Sequence, residues 1–220
     1  MINNKKVLGI IPARGGSKGL PQKNTLLFRD KPLIAWTIEQ AQNSKYIDNF
    51  IVSTDDNKIA EISKKYGALV PFIRPNKLST DTANLDDVIL HSLDNIKDFY
   101  DIIIVLQPTS PLRKTKDIDQ GLDFMINKKA LSVVSICKSH KPIEWNYHLN
   151  NNGVISPILL LKNQGKNRQQ FEKTYIPNGA LYMINVDYFK KVKSFYTELT
   201  YGYIMAAERS IDIDTELDFF

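Results

Sequence analysis

A glycine-rich, basic turn near the start of the chain has the residue types needed to bind phosphate. Residues 11–24 read IPARGGSKGLPQKN, directly after a short apolar stretch. Glycines let the backbone approach a ligand and point N–H groups at it, and Arg14, Lys18 and Lys23 add positive charge. The turn therefore predicts a triphosphate cradle, the alternative being a basic surface turn. It matches neither a Walker A loop nor the Rossmann Gly-x-Gly-x-x-Gly sequence.

Two aspartates near the other end of the chain are candidate metal ligands. Asp212 and Asp214 are two residues apart, so in an extended segment their side chains point to the same side. Convergent carboxylates suit a Mg²⁺ ion that also bridges substrate phosphates. The alternative is a helix start, with Asp214 as the N-cap or with Thr215 and Asp218 as capping residues. The pattern alone leaves both open.

Three other polar segments could contribute to a site. Residues 106–113 read LQPTSPLR, and the two prolines would hold Gln107 and its neighbours rigidly. The same segment also fits a helix entry, with Ser110 as N-cap and Pro111 as the first helical residue. Arg74 lies in a predicted loop, and Arg168 could hold a carboxylate in a two-pronged contact or could simply be an exposed charge.

Composition excludes several classes of function. The net charge of +5 comes from Lys and Arg that are scattered rather than clustered, which does not favour a nucleic-acid partner. No apolar run is long enough to cross a bilayer. A single cysteine, Cys137, excludes an intrachain disulfide and fits the cytoplasm. The three histidines show neither metal spacing nor a nucleophile partner.

The elements that position these residues alternate between strand and helix. Strands are predicted at 7–12, 50–54, 69–72, 101–107 and 131–137, and helices at 31–45, 57–66, 85–97 and 117–127. This alternation predicts an α/β fold with a Rossmann-like, mostly parallel sheet and helices on both faces. Ligands of such sheets sit beyond the carboxyl ends of the strands, where the turn at 11–24 and the 106–113 segment lie.

The alternation changes near residue 139. A hairpin is predicted from 145–149 and 154–161, followed by a polar loop at 162–173. A strand at 179–186, a helix at 187–193 and a strand at 203–206 complete the chain. We therefore predict one catalytic domain, 1–138 and 178–220, interrupted by an inserted arm at 139–177.

These segments together resemble the acylneuraminate cytidylyltransferase family, the CMP-sialic acid synthetases. Four blocks carry the resemblance: IPARGGSKGLPQKN at 11–24, LQPTSPLR at 106–113, RQQ…YIPNGALYMI at 168–184 and SIDIDTELD at 210–218. They span nearly the whole chain. The first block is shared with relatives that act on Kdo, but the four in this order are more specific. Two departures are Gln22, where a basic residue is frequent, and the end at Phe220, where relatives usually continue a helix.

The resemblance implies a fold of the nucleotide-diphospho-sugar transferase type and assigns roles to individual residues. The CTP-binding residues would be Arg14, Gly15, Gly16, Ser17, Lys18, Lys23, Asn24, Arg74 and Ala83, of which Arg74 and Ala83 would hold the cytosine. Gln107 and Arg168 would contact the sugar, and Asp212 and Asp214 would bind Mg²⁺. The arm at 139–177 would be a dimerisation element, which predicts a homodimer with no membrane or nucleic-acid partner.

The implied reaction is the transfer of CMP from CTP to an acidic nine-carbon sugar. The anomeric hydroxyl attacks the α-phosphorus and pyrophosphate leaves, stabilised by Arg14 and Lys18. The general base stays open between Asp214 and a metal-associated hydroxide. The acceptor is predicted to be N-acetylneuraminate or legionaminate, with pseudaminate or Kdo as alternatives. A UTP- or GTP-dependent enzyme for a neutral sugar phosphate and a non-catalytic nucleotide- or nucleic-acid-binding module are the other hypotheses.

Overall fold

A computed structural model describes residues 1–17, 19–159 and 167–220. The strands are β1 (Val7–Pro12), β2 (Leu27–Phe28), β3 (Lys31–Pro32), β4 (Asn49–Ser53), β5 (Ile102–Val105), β6 (Ser132–Lys138), β7 (Tyr147–Leu149), β8 (Ile155–Pro157), β9 (Tyr175–Asn185) and β10 (Thr200–Ile204). The helices are α1 (Leu33–Gln42), α2 (Asn57–Lys65), α3 (Leu85–Asp94), α4 (Thr115–Asn127), α5 (Val186–Val192) and α6 (Glu216–Phe219). None of the helices in the described ranges is long and apolar enough to span a membrane.

The central sheet has the strand order β10-β6-β9-β5-β1-β4. β1 pairs in parallel with both β4 and β5, and β10 pairs in parallel with β6. β9 runs antiparallel to its neighbours β5 and β6. The predicted mostly parallel α/β sheet is therefore confirmed.

Helices cover both faces of this sheet because side chains alternate along each strand. In β1, Val7 and Ile11 face a core shared with α1, α2 and α4, whereas Leu8 and Ile10 face a core shared with α3 and α5. The strand is completely buried apart from Pro12, as expected for a strand covered on both sides. Because β1 is parallel to both β4 and β5, the carboxyl ends of these three strands lie at the same edge of the sheet.

The predicted strand at 69–72 is wrong. Only isolated bridges form there, from Leu69 to Ile51 and from Ile73 to Thr54. Pro71 lies between them and has no N–H to donate to a ladder, so a continuous strand does not form. The predicted helix at 31–45 is also too long at its start, because Lys31 and Pro32 pair with β2 and the helix begins at Leu33.

The predicted helix entry at Ser110 is likewise wrong. α4 begins at Thr115, after a cap in which the Asp117 carboxylate accepts the Lys114 N–H at 2.9 Å. Residues 108–114 are thus left as a turn beside the carboxyl end of β5. Its residues are available to build a site rather than a helix.

The predicted hairpin in the arm is confirmed, with shorter strands. β7 and β8 are antiparallel, with Tyr147 opposite Pro157 and Leu149 opposite Ile155. In the turn between them, Gly153 has a φ of +78°. Residues 160–166, which are the end of the predicted strand at 154–161 and the start of the predicted loop at 162–173, lie outside the described residues. β9 already pairs with β6 at Tyr175, opposite Lys138, so residues 175–177 belong to the central sheet.

Candidate active site

A cavity of about 390 Å³ opens at the carboxyl ends of the parallel strands. Its walls come from segments that are far apart in sequence. The lining residues are Pro12, Arg14, Lys23, Asn24, Arg74, Leu78, Thr80, Asp81, Ala83, Leu85, Val88, Gln107, Pro108, Thr109, Asp212 and Asp214. Eight of the predicted site residues are therefore together, namely Arg14, Lys23, Asn24, Arg74, Ala83, Gln107, Asp212 and Asp214.

Other predicted site residues do not line this cavity. Gly15, Gly16 and Ser17 lie in the adjoining turn, and Lys18 is outside the described residues. Nothing is described of the Arg168 side chain, whose backbone belongs to a short 3-10 turn. Its neighbour Gln169 lines a separate cavity of about 410 Å³ at the base of the arm. The turn that contains Arg168 therefore borders a cavity other than the one lined by Asp212 and Asp214.

The basic turn at 11–24, predicted to bind phosphate, is held against the end of β4. The Gly15 N–H donates to Asp55 Oδ1 at 3.0 Å, and a Cβ on Gly15 would lie 2.8 Å from the Asp56 Cβ. The Asn24 side chain donates to the Arg14 carbonyl at 3.0 Å, while its buried Oδ1 has no partner among the described residues. The Gly15 amide thus serves the protein rather than a ligand, and the unpartnered Asn24 oxygen is available to a ligand hydroxyl.

Arg14 reaches across the mouth of the cavity. Its guanidinium donates to the Thr80 carbonyl and to Asp81 Oδ1, both at 2.9 Å. About a third of each side chain in this ion pair is exposed, at 35% for Arg14 and 39% for Asp81. Exposed ion pairs contribute little net stability, so a phosphate can replace the carboxylate at small cost.

Arg74 is a buried cation in the cavity wall, with 4% of its surface exposed. Its Nε donates to Ser79 Oγ at 3.1 Å, and its Nη2 lies 3.6 Å from Asp55 Oδ1. Burial lowers its pKa, and Asp55 partly offsets that shift. Asp55 therefore holds both the Gly15 amide and Arg74, a role that sequence reasoning missed. Its place just beyond β4 was the available signal.

The two aspartates occupy different environments although they line the same cavity. The segment is held by the Ile213 N–H, which donates to the Thr109 carbonyl at 2.8 Å. Asp212 is half-buried, and its Oδ1 is fully buried with no hydrogen-bond partner in the described part of the chain. Burial raises the pKa of Asp212, against a hydrogen bond from the Thr109 side chain that lowers it. Asp214 is exposed, and its Oδ1 accepts a hydrogen bond from Lys23 Nζ at 2.9 Å.

The alternative role of Asp214 as a helix cap is not observed. Thr215 is the N-cap of α6, and its side chain accepts the Asp218 N–H, while the Asp218 carboxylate accepts the Thr215 N–H at 2.8 Å. This is a reciprocal capping box. It satisfies the start of α6 with residues other than the two cavity aspartates.

The donor set fits a Mg²⁺ ion. Carboxylate oxygens are the ligands Mg²⁺ prefers, and Asp212 presents one that is buried and unpartnered. In the part of the chain that the structure describes, no group of three or more His, Cys, Asp or Glu side chains is arranged to hold a metal. Mg²⁺ in nucleotide sites is commonly held by one or two carboxylates together with substrate phosphates.

Gly179 separates the predicted sugar contact from the predicted metal ligand. Its φ is +73°, and a Cβ there would lie 3.0 Å from Gln107 Oε1 and 3.3 Å from Asp212 Oδ2. The amide of Gln107 and the carboxylate of Asp212 thus flank one glycine. Sequence reasoning missed this residue, although the Asn178-Gly179 dipeptide is typical of a positive-φ position.

A buried network of hydrogen bonds holds Asn178, the residue that precedes Gly179. Asn178 Oδ1 accepts the Ser135 hydroxyl at 2.5 Å, and Asn178 Nδ2 donates to Ser210 Oγ at 2.8 Å. Ser135 lies at an irregularity in β6 between Val134 and Ile136. Because Ser210 precedes Asp212 by two residues, the network connects the irregular strand to the carboxylate segment.

Substituting Gly19 with alanine is expected to lower kcat/KM about a hundredfold, since small displacements of reacting groups carry such costs. A Cβ on Gly19 would overlap the carbonyl oxygen of Asp214 and push the carboxylate segment away from the turn. Steady-state kinetics with varied CTP, the nucleotide that the sequence resemblance implies, would measure the effect. Gly153→Ala, in the hairpin turn of the arm, is the control because no described atom beyond its chain neighbours lies within 4 Å of its Cβ position. Equal losses in both variants would show that crowding of the Asp214 segment is not the cause.

The sequence of this chain is similar to a protein family and to individual proteins of known name. Residues 8–217 match the model of a family described as cytidylyltransferase. The chain is 38% identical over 215 residues to N-acylneuraminate cytidylyltransferase of Escherichia coli O18:K1:H7 (strain RS218 / NMEC), covering 97% of this chain and 50% of that protein. It thus spans half the length of that relative.

Two further similarities extend over nearly whole chains. CMP-N,N'-diacetyllegionaminic acid synthase of Legionella pneumophila subsp. pneumophila (strain Philadelphia 1) is 36% identical over 221 residues, covering 97% of this chain and 93% of the relative. The structure of CMP:2-keto-3-deoxy-manno-octonic acid synthetase complexed with CTP superposes with a TM-score of 0.69 at 20% identity, covering 96% of this chain and 94% of that one. The structural likeness supports the fold alone.

Proposed function

This chain belongs to the cytidylyltransferase family, and from that premise we propose that it transfers CMP from CTP to a sialic-acid-type sugar. The acceptor would be the anomeric hydroxyl of N-acetylneuraminate or legionaminate, and pyrophosphate would leave. The observation that carries this proposal is one cavity that combines cations for a triphosphate with two carboxylates for a metal. The cations are Arg14, Lys23 and Arg74, and the carboxylates are Asp212 and Asp214.

The protein's part in this reaction is to align the substrates and to offset charge. Arg14 would exchange its exposed partner Asp81 for a phosphate of CTP. Lys18 of the same turn would join it in stabilising the pyrophosphate. Asn24 presents an unpartnered buried oxygen that suits the ribose or a phosphate-bound water. Arg74 and Ala83, which line the same cavity, would face the cytosine.

The carboxylate segment would hold Mg²⁺ through Asp212 and Asp214. When bound there, Mg²⁺ supplies charge stabilisation at the α-phosphate and acidifies the attacking hydroxyl. Asp214 must exchange its contact with Lys23, and the ammonium is then free to approach a phosphate. Asp214 is also our candidate for the general base, since its exposed carboxylate lines the cavity.

Gln107 is the proposed contact on the sugar side. It lies two residues beyond β5, and its Oε1 and the Asp212 carboxylate both lie close to Gly179. An amide there can donate to a carboxylate or hydroxyl of the acceptor and still accept a second hydrogen bond. Arg168 of the arm would supply a bidentate contact to the sugar carboxylate.

We also propose a cytoplasmic homodimer, formed through the arm. Its hairpin and the turn before it expose large apolar side chains, with 43% of Trp145, 71% of Leu149 and 60% of Ile155 accessible. Apolar patches of this kind mark protein–protein contacts. Light scattering of the purified protein should give twice the chain mass, and a monomer over the working concentration range would contradict the proposal.

The first experiment is a pyrophosphate-release assay with purified protein, CTP, Mg²⁺ and N-acetylneuraminate. Release that requires all three supports the proposal. Legionaminate, pseudaminate and Kdo then rank the acceptors, while UTP and GTP test the nucleotide. If folded protein releases no pyrophosphate with any acceptor, the proposed catalysis is wrong and a binding module becomes the better hypothesis.

A further inference from the structure

Arg113 is a buried cation at the point where two strands of the site separate. Only 1% of the residue is exposed. The antiparallel ladder between β5 and β9 ends at the pair Val105–Tyr182. Just beyond it, the carbonyls of Gln107 and Ala180 both point at Arg113 Nη1, which donates to them at 3.2 and 2.7 Å. One guanidinium nitrogen thus takes the place of the missing ladder bonds.

The rest of the guanidinium is anchored to α1. Its Nε donates to Gln40 Oε1 at 3.1 Å, and its Nη2 donates to Thr37 Oγ1 at 2.9 Å. All four acceptors are neutral, so no carboxylate directly compensates the charge. Burial lowers the pKa of Arg113 to about 9, with Asp117 partly offsetting the shift. The side chain therefore stays a cation near neutral pH, and its forked donors fix four groups at once.

This arrangement controls the wall that faces the acceptor. Gln107 and Ala180 are the residues whose carbonyls Arg113 holds, and Ala180 directly follows Gly179. The Cβ position of Gly179 is 3.0 Å from Gln107 Oε1, so the two backbones must keep their separation for the Gln107 amide to stay in place. Arg113 does not line the cavity described above. Arg113 can therefore affect substrate binding only through residues that it holds, such as Gln107.

We infer that Arg113 is a positioning residue that sets the affinity for the acidic sugar by holding the Gln107 backbone against β9. The inference rests on the proposed function, in which Gln107 contacts that sugar. A purely structural role would lower stability without distinguishing the two substrates. A positioning role would act on the sugar far more than on CTP, because Arg14 and Arg74 are held by other contacts.

The test is a double-mutant cycle between Arg113→Lys and Gln107→Ala. The lysine keeps a charge but has one nitrogen, which cannot hold all four acceptors. We expect Arg113→Lys to raise the KM for the sugar about tenfold, equivalent to about 1.4 kcal/mol. The KM for CTP should stay within about twofold, and the double variant should be no worse than Gln107→Ala alone, since residues in one network are not additive.

A control and a milder variant keep the test decisive. Ile118→Val, on the buried face of α4, should lower stability but leave both KM values unchanged. If Arg113→Lys does not fold, Thr37→Val removes one acceptor and should raise the sugar KM in the same direction by about two- to threefold, a loss below that of a whole bidentate contact. Equal rises in both KM values, or additivity with Gln107→Ala, would overturn the inference alone. No turnover by the wild type, or an unchanged sugar KM in Gln107→Ala, would overturn the proposed site as well.

Discussion

Replacing Asp212 with asparagine is expected to reduce kcat about a thousandfold, the scale seen when a preorganised charge-stabilising group is lost. The variant keeps the shape of the side chain but removes the charge that a Mg²⁺ ion requires. Since burial raises the pKa of Asp212, the ionised carboxylate is unfavourable in the metal-free protein. The melting temperature without metal should therefore rise. Kinetics and thermal denaturation, each with and without Mg²⁺, measure both effects.

Asp214→Asn should lose turnover to a similar extent but gain no stability, because Asp214 is exposed and paired with Lys23. Asp218→Asn is the matched control in the same segment. It caps α6 and does not line the cavity, so it should retain most activity. Near-normal turnover in both Asp212→Asn and Asp214→Asn would disprove the metal assignment. Stabilisation by CTP with Mg²⁺ that survives in both variants would count against it independently.

Gly179→Ala is expected to reduce kcat/KM about a hundredfold or more, comparable to a misplacement of reacting groups by about 1 Å. Its methyl group would meet Gln107 Oε1 at 3.0 Å and Asp212 Oδ2 at 3.3 Å, so it pushes on a sugar contact and a metal ligand together. The positive φ adds a separate strain of about 1 kcal/mol, which appears as lost stability. Titrating Mg²⁺, CTP and the acceptor in turn should show weaker dependence on metal and acceptor.

Gly153→Ala separates the two contributions. Gly153 has a similar φ of +78°, in the hairpin turn of the arm, and no described atom beyond its chain neighbours lies within 4 Å of its Cβ position. It should lose about the same stability from backbone strain and keep its activity. If Gly153→Ala and Gly179→Ala lose activity to the same degree, strain rather than crowding of the site explains the result, and the geometry around Gly179 is not critical.

Much of the fold could be predicted because the apolar pattern reports burial on each face. The strand at Val7–Pro12 was predicted with its observed bounds, and the arm hairpin with its turn. The direction of β9 and the loss of a strand at 69–72 could not be predicted. Strand direction depends on which neighbours a strand meets, and a residue pattern does not contain that information.

The candidate site divides in the same way. Motifs located the basic turn and the paired aspartates, since residue type and spacing limit what can bind a phosphate or a metal. They did not reveal Asp55, whose carboxylate holds both the turn and Arg74. Nor did they show that Arg113 is buried against two backbone carbonyls rather than presented to a ligand.

The sequence by itself determined the chemistry at hand, namely cations beside glycine amides, two carboxylates two residues apart, and a sheet whose strand ends collect them. Only the tertiary structure decided the environment of each group. Asp212 and Asp214 differ by two positions, yet one is half-buried with an unpartnered oxygen and the other is exposed beside Lys23. The reason is physical: burial and pairing depend on which distant segments pack around a side chain, and spacing along the chain cannot specify them.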